Sequence, residues 1–359
     1  MLLLRRGIQH QNTSNKWLSL LLFLCALYIV PYMLGYANWY AKKVTADILF
    51  FVPFMQVLVI GPVVYFYIQS LLQADFKFSK KDWIHFVPGF LYLLYSLVVF
   101  VTDKLILEEF YFYADGRDKD LKTWYQLLGL ASMLYYLGLS LKKYSAYKKR
   151  IYDVVSYADS ILFRWIRNFL LAFYTLLIIR IVFFFSNPQW VNFGSHFWYF
   201  ISFAFIVYYI SISGYTEAIK SSSFLLKKVD NTPIIPEREK PMMSAIDVDK
   251  WKTQLIALLE QQKVYQNSQL TLSDIAEQLN TNTKTISSVV NGGFDMNFND
   301  FINHYRIEAV KEQLKSGAHH KTTLLGIAFD CGFNSKATFN RAFKKSTSLS
   351  PKDYLKTIS

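Results

Sequence analysis

The chain has 359 residues, 53% of them hydrophobic, and a formal net charge of +13. That length is room for two domains of ordinary size. The hydrophobic fraction is high for a soluble protein. Two cysteines, Cys25 in an apolar run and Cys331 far away, exclude a disulfide framework, and six histidines without an HxxxH pair offer no metal spacing. No metal, cofactor or catalytic residue is therefore assigned: HExxH, GxSxG and paired intramembrane carboxylates are all missing from the sequence.

Both the apolar residues and the charge are unevenly distributed. Seven of the eight tryptophans precede residue 200. Residues 246–359 hold 14 Lys/Arg against 11 Asp/Glu, so most of the positive charge belongs to the apolar half. There it marks loops at one membrane face as readily as a nucleic-acid surface. The expected division is a transmembrane domain over 1–219, a linker over 220–245 and a second domain over 246–359.

The opening "MLLLRR" is read either as a short basic start or as the stump of an earlier apolar helix; no cleavage-site pattern of a signal peptide follows. Six runs then have the length to cross a bilayer, which takes roughly 20 apolar residues. They are placed at 17–36, 48–72, 84–101, 123–141, 165–186 and 191–213. The second, "ILFFVPFMQVLVIGPVVYFYIQSLL", has no charge in 25 residues, and a buried soluble helix rarely runs so long without a polar face. Pro31, Pro53, Pro62 and Pro88 lie in or beside these runs, where packed membrane helices tolerate them.

Loop charge predicts the topology. Arg5, Arg6 and Lys16 precede the first run; Lys77, Lys80 and Lys81 follow the second; "KKYSAYKKRIYDVVSYADSILFR" after the fourth has six basic and two acidic residues. The other loops are acidic or neutral, with Lys42 and Lys43 as the one dissent. The positive-inside rule then puts both termini and the basic loops in the cytoplasm of a multi-pass inner-membrane protein. Arg180, in "LLIIRIVFFF", is the one charge deep in a run. Two readings stay open for it: its stem snorkels to the outer interface, or it meets an anionic ligand or ion-pair partner, as intramembrane charges commonly do. His85 and His196, near run ends, read as interfacial polar groups.

"KSSSFLLKKVDNTPIIPEREKPMMS" has three prolines and mixed charge and reads as a linker. Next, Trp251, Leu255, Leu258 and Leu259 predict an amphipathic helix, either packed on the following domain or free for dimerisation or signal relay. In 270–291, Leu272, Ile275, Ala276 and Leu279 form one inner face, "NTN" a capped turn, and Ile286 with Val290 a second inner face. This is a helix-turn-helix pattern. It recurs over 322–345: Leu324, Ile327 and Ala328 repeat the first face, Phe339 and Phe343 the second, with Gly332 and Phe333 in a longer turn. Between the copies, Phe298, Phe301, Ile302, Tyr305, Ala309 and Leu314 make one stripe on a connecting helix closed by Gly317. The expected fold is all-α: a polytopic transmembrane helical bundle followed by a double helix-turn-helix domain.

Ile327, Ala328, Gly332, Phe333, Phe339, Arg341, Phe343, Lys344, Lys345, Pro351 and Tyr354, with Arg306 in "NHYRIEA", carry a resemblance to the DNA-binding domain of the AraC/XylS transcription regulators over about 265–356. Ser348 departs from it, because the family often has glycine after the second recognition helix, and "SSVVNGG" lacks a basic cluster after the first. The whole chain resembles the membrane-anchored members of that family found in Bacteroidetes, through "GPVVYFYIQSLLQADFKFSKKDWIHFVPGF". The resemblance implies double-stranded DNA as partner, with both recognition helices in successive major grooves. On the second, Ser335, Lys336, Thr338, Asn340 and Arg341 would face out, and Lys344 and Lys345 would meet phosphate; on the first, Lys284, Thr285, Ser287 and Ser288 would face out. The expected function is a bilayer-embedded transcription regulator, with a homodimer and an unknown signal ligand as further partners. The rival is a membrane transporter or receptor whose DNA-binding domain is accessory.

Overall fold

The computed structural model describes residues 2–9, 12–73, 76–158, 164–186, 196–220 and 245–358. It is all-helical: among the described residues the only extended pairing is an isolated antiparallel bridge, Val155 with Thr271. The chain forms two compact units. The first is Met1–Tyr144 with Arg164–Phe224, and the second is Ser145–Phe163 with Leu225–Ser359. Residues 145–158, expected to belong to the apolar half, thus fold with the C-terminal half. Of the expected linker over 220–245, residues 221–244 lie outside the described residues.

The first unit contains α1 (Leu2–Gln9), α2 (Thr13–Tyr36), α3 (Lys43–Phe51), α4 (Val57–Leu72), α5 (Val87–Phe100), most of α6 (Thr123–Val154), α7 (Arg164–Ser186) and α8 (Phe197–Lys220). "MLLLRR" falls within α1 apart from Met1. Among the described residues, four segments are long and apolar enough to cross a membrane: Thr13–Tyr36, Lys80–Ile106, Trp165–Ser186 and Phe197–Glu217. The expected helix over 48–72 is not continuous. Proline disfavours the helical region for the residue before it and offers no N–H to the helix. Ahead of Pro53, Val52 is accordingly extended (φ −81°, ψ 119°), and α4 restarts at Val57. α4 has 16 residues, about 24 Å of helix, short of a full hydrocarbon thickness. Pro31 and Pro62, by contrast, lie inside α2 and α4. α6 runs thirteen residues past the expected end at 141. The first residues of the expected sixth run, 191–195, lie outside the described part.

Aromatic side chains are packed throughout this unit, and two pairs of its buried polar groups satisfy each other, as burial in an apolar medium favours. The Tyr28 and Tyr199 hydroxyls meet at 3.0 Å, and the Trp165 indole N–H donates to Tyr67 at 2.7 Å.

In the second unit, α9 (Ala245–Gln262), α10 (Leu272–Gln278), α11 (Thr283–Ser288), α12 (Phe298–Lys315), α13 (Leu324–Asp330), α14 (Lys336–Thr347) and α15 (Pro351–Ile358) build two cores. The first gathers Leu255, Leu258 and Leu259 of α9 with Leu272, Ile275, Ala276, Ile286, Val290, Phe298, Phe301 and Ile302. Of the two readings of α9, packing on the domain is therefore the one observed. The second core gathers Ile307, Val310 and Leu314 with Ile327, Ala328, Cys331, Phe333, Phe339 and Phe343. α12 belongs to both, so it buries two faces rather than the single expected stripe. Ile307 and Val310 are buried, while Tyr305 and Ala309 are only half-buried.

Candidate nucleic-acid interface

The two helix-turn-helix units are set by local capping. Thr271 and Asp274 cap each other's backbone N–H at the start of α10, at 3.2 and 2.8 Å. Asn282 of "NTN" accepts the Thr285 N–H at 2.8 Å and starts α11. Thr323 and Ser335 start α13 and α14 in the same way. Between α13 and α14 the turn needs glycine. Gly332 has φ +94°, and a Cβ there would press into the Tyr265 carbonyl and lie 2.8 Å from the Gln266 Cα. At the end of α14, Ser348 takes the left-handed conformation, φ +61°, that glycine adopts without strain. The turn thus forms despite the departure from the family pattern.

On α14, Lys336, Asn340, Arg341, Lys344 and Lys345 are exposed. Lys336, Asn340 and Lys344 recur at i, i+4, and Arg341 with Lys345 forms the adjoining row, so one ridge carries four cations and an amide. Two expected members differ. Thr338 is buried, at 2% exposure, because its hydroxyl and its N–H both meet the Ser335 hydroxyl, at 2.8 and 3.1 Å. Both side chains are thereby engaged in starting α14, and Thr338 does not face out. Lys345 Nζ is 2.6 Å from Asp300 on α12, an exposed ion pair that contributes little to stability.

On α11, Lys284, Thr285, Ser287 and Ser288 are half-buried. The Thr285 hydroxyl donates to Asn282 at 3.1 Å, and Ser287 accepts from the Asn291 side chain at 3.2 Å. α11 is short, and the chain passes into a π-helical turn over Val289–Gly293 that buries both Val289 and Val290.

One buried cation ties the unit together. Arg306 of α12 is 1% exposed. Its Nε donates to the Tyr265 carbonyl at 2.8 Å. Nη2 donates to the Asn267 carbonyl at 2.8 Å and the Ser156 hydroxyl at 2.9 Å, and Nη1 to the Ser156 carbonyl and Asn303 Oδ1 at 3.2 and 3.3 Å. Burial lowers its pKa to about 9, which leaves it charged at neutral pH. Ser156 in turn bonds Leu270, its N–H at 3.1 Å and its hydroxyl at 2.8 Å from the same carbonyl, and Asn299 donates to the Val155 carbonyl at 3.3 Å. Tyr152, from the last turn of α6, lies under Arg341, whose guanidinium carbon is 5.8 Å from the ring centroid. None of these links to residues 152–156 was expected. Their one sequence signal is the apolar "VV" at 154–155 inside a basic stretch.

In the first unit, Arg180 does not snorkel. It is 1% exposed, donates to the Gln126 carbonyl at 3.2 Å and side-chain oxygen at 2.8 Å, and lies 5.6 Å from the Tyr28 ring centroid. Seven residues of helix toward the interface are too far for the stem once a nearer amide accepts its protons. The Gln126 amide donates onward to the Asp120 carbonyl at 2.6 Å. Asp118, Lys119 and Asp120, in a loop whose charge served only to predict the topology, are all buried. Tyr40 donates to Asp118 at 2.7 Å, the Met55 N–H to Asp120 at 2.9 Å, Tyr92 also donates to Asp120, and Lys119 donates to the Phe50 carbonyl at 2.7 Å. Burial and the Asp120 charge push the Asp118 carboxyl up to about 7. His85 pairs with the Tyr136 hydroxyl at 2.9 Å. Among the described residues no group of three His, Cys, Asp or Glu could hold a metal.

No curated protein and no solved structure matches the chain. Residues 275–357 match the family of helix-turn-helix domains of AraC type. The C-terminal unit therefore carries the DNA-binding domain of a transcription regulator.

Proposed function

We propose that the protein is a membrane-embedded, sequence-specific transcription regulator, with both termini and the DNA-binding unit in the cytoplasm and the helical bundle as sensor. The observation that carries this reading is the pairing, in one chain, of four helices of bilayer-spanning length and hydropathy with a helix-turn-helix domain over 275–357. Base reading falls to Asn340 and Arg341, since Asn pairs bidentately with adenine and Arg with guanine. Lys336 and Lys344 hold phosphate, joined by Lys345 once it leaves Asp300. On α11, Lys284 and Ser288 supply the lighter contacts of a second major groove. Arg180 and its hydrogen-bonded chain through Gln126 to Asp120 form the polar centre at which a signal, for example an anionic ligand, would act. A homodimer of the bundle would hold two DNA-binding units at high effective concentration.

Footprinting with the full chain in lipid nanodiscs tests the reading. Protection of two successive major-groove faces at a defined sequence, lost in Arg341→Ala, is expected. Equal binding to all sequences at moderate salt, or recovery of the chain without membranes after cell lysis, would overturn it.

A further inference from the structure

α6 enters the second unit as one unbroken helix from Thr123, and its end and the turn after it are not solvated. Ile151, Val154, Val155, Tyr157 and Ala158 are all at most 4% exposed, while Lys148 and Lys149 on the opposite side are exposed. Backbone and side chains hold this segment at once: the Val155–Thr271 bridge, two bonds from Ser156 to the Leu270 carbonyl, two from Arg306 to Ser156 and one from Asn299 to Val155. A solvated loop has no reason to bury five apolar side chains and to accept two of the five hydrogen bonds of a buried arginine.

We propose that Ile151–Ala158 is an intrachain partner of the DNA-binding domain, clamped by Arg306 and Asn299, through which the state of α6 reaches Arg341 on the recognition helix. The last step is carried by Tyr152. The Arg341 guanidinium carbon lies over its ring, 5.8 Å from the centroid and within cation–π range, so the ring helps set where the guanidinium points. Tyr152 is thus a positioning residue. A bundle that shifts or rotates α6 would move the ring and loosen the arginine. This relay rests on the DNA-reading role given to Arg341; the docking itself does not. The docking also gives the domain a hold on the first half of the chain separate from the 221–244 connection, so cutting that connection would not by itself free it.

The test uses the full chain in nanodiscs with a specific protease site inserted within 231–240. After cleavage, the C-terminal fragment is expected to co-elute with the discs. Val155→Asp with Ser156→Asp, which leaves the DNA-binding domain's own residues intact, should release it. An excess of a peptide of residues 145–163 should release it from the unsubstituted chain. Release from the unsubstituted discs without peptide, or retention in both other cases, overturns the docking. The DNA arm uses a 30-bp duplex enriched from a random pool on the full chain. Tyr152→Ala is expected to cut base discrimination at one operator position about two- to fivefold, the range of an exposed cation–π contact, with Tyr152→Phe unchanged. If Arg341→Ala lowers discrimination and Tyr152→Ala does not, the relay is wrong. If Arg341→Ala has no effect, the DNA-reading assignment fails, and the cleavage result still decides the docking.

Discussion

Arg306 and Ser156, 150 positions apart in sequence, share two hydrogen bonds: one from the guanidinium to the serine carbonyl and one to its hydroxyl. Removing either partner acts differently. Ser156→Ala deletes one acceptor of a charge-assisted bond and should cost about 1–3 kcal/mol. Arg306→Met strips the Tyr265, Asn267 and Ser156 carbonyls of their donor together and should cost more, about 3–5 kcal/mol. Urea denaturation of the full chain, followed by Trp251 quenching in a chain whose other tryptophans are replaced by phenylalanine, would rank the two. A smaller loss for Arg306→Met would contradict the clamp.

Ser348 has φ +61° at the end of α14. An L-residue held there is strained by about 1 kcal/mol, and glycine is not. Ser348→Gly should therefore stabilise the second unit by roughly 0.5–1 kcal/mol at unchanged DNA affinity, less the entropy glycine adds to the unfolded chain. A lowered melting temperature would show that the serine side chain has a role the strain argument omits.

Along α14, loss of a base contact and loss of a phosphate contact should separate. Arg341→Ala should cost about 1–3 kcal/mol at one base position. Lys344→Ala should weaken all sequences alike and lower the salt slope by about one phosphate. Thr338→Ala should leave base preference untouched and act only on stability, because its hydroxyl faces Ser335. A change of base preference in Thr338→Ala would return that residue to the interface.

The buried Asp118 carboxyl makes the first unit sensitive to pH. Its folded pKa is raised from 3.8 to about 7 by burial and by Asp120, so between those values the folded state binds more protons than the unfolded one. Stability should then fall as pH rises through that window and rise on mild acidification. The melting temperature in nanodiscs should be higher at pH 5.5 than at pH 8, and Asp118→Asn should flatten the difference. A difference of the opposite sign, or one unchanged in Asp118→Asn, would assign the pH response elsewhere.

Local chemistry made much of this protein legible in its sequence. The all-helical class, the apolar helices of membrane-crossing length, the two copies of the helix-turn-helix with their caps at Asn282 and Thr323, and the glycine turn at Gly332 all follow from spacing, capping and backbone freedom within a few residues. So do the exposed cations of α14, because a helical stripe places them opposite Phe339 and Phe343. The break at Pro53 was also available, since a proline denies its neighbour the helical region. Tertiary structure alone decided the rest. Thr338 turned inward because Ser335 met its hydroxyl. Arg180 stayed in the bundle because Gln126 supplied a nearer acceptor than the interface. Asp118 and Asp120 are buried because the Tyr40 and Tyr92 hydroxyls and the Met55 N–H, all from distant segments, donate to them. Residues 151–158 left the solvent because Arg306, on a helix 150 positions later, needed acceptors that its own neighbours could not all provide. In each case the deciding partner is far away in the chain, and no periodicity or composition records which distant group will satisfy a buried charge or hydroxyl.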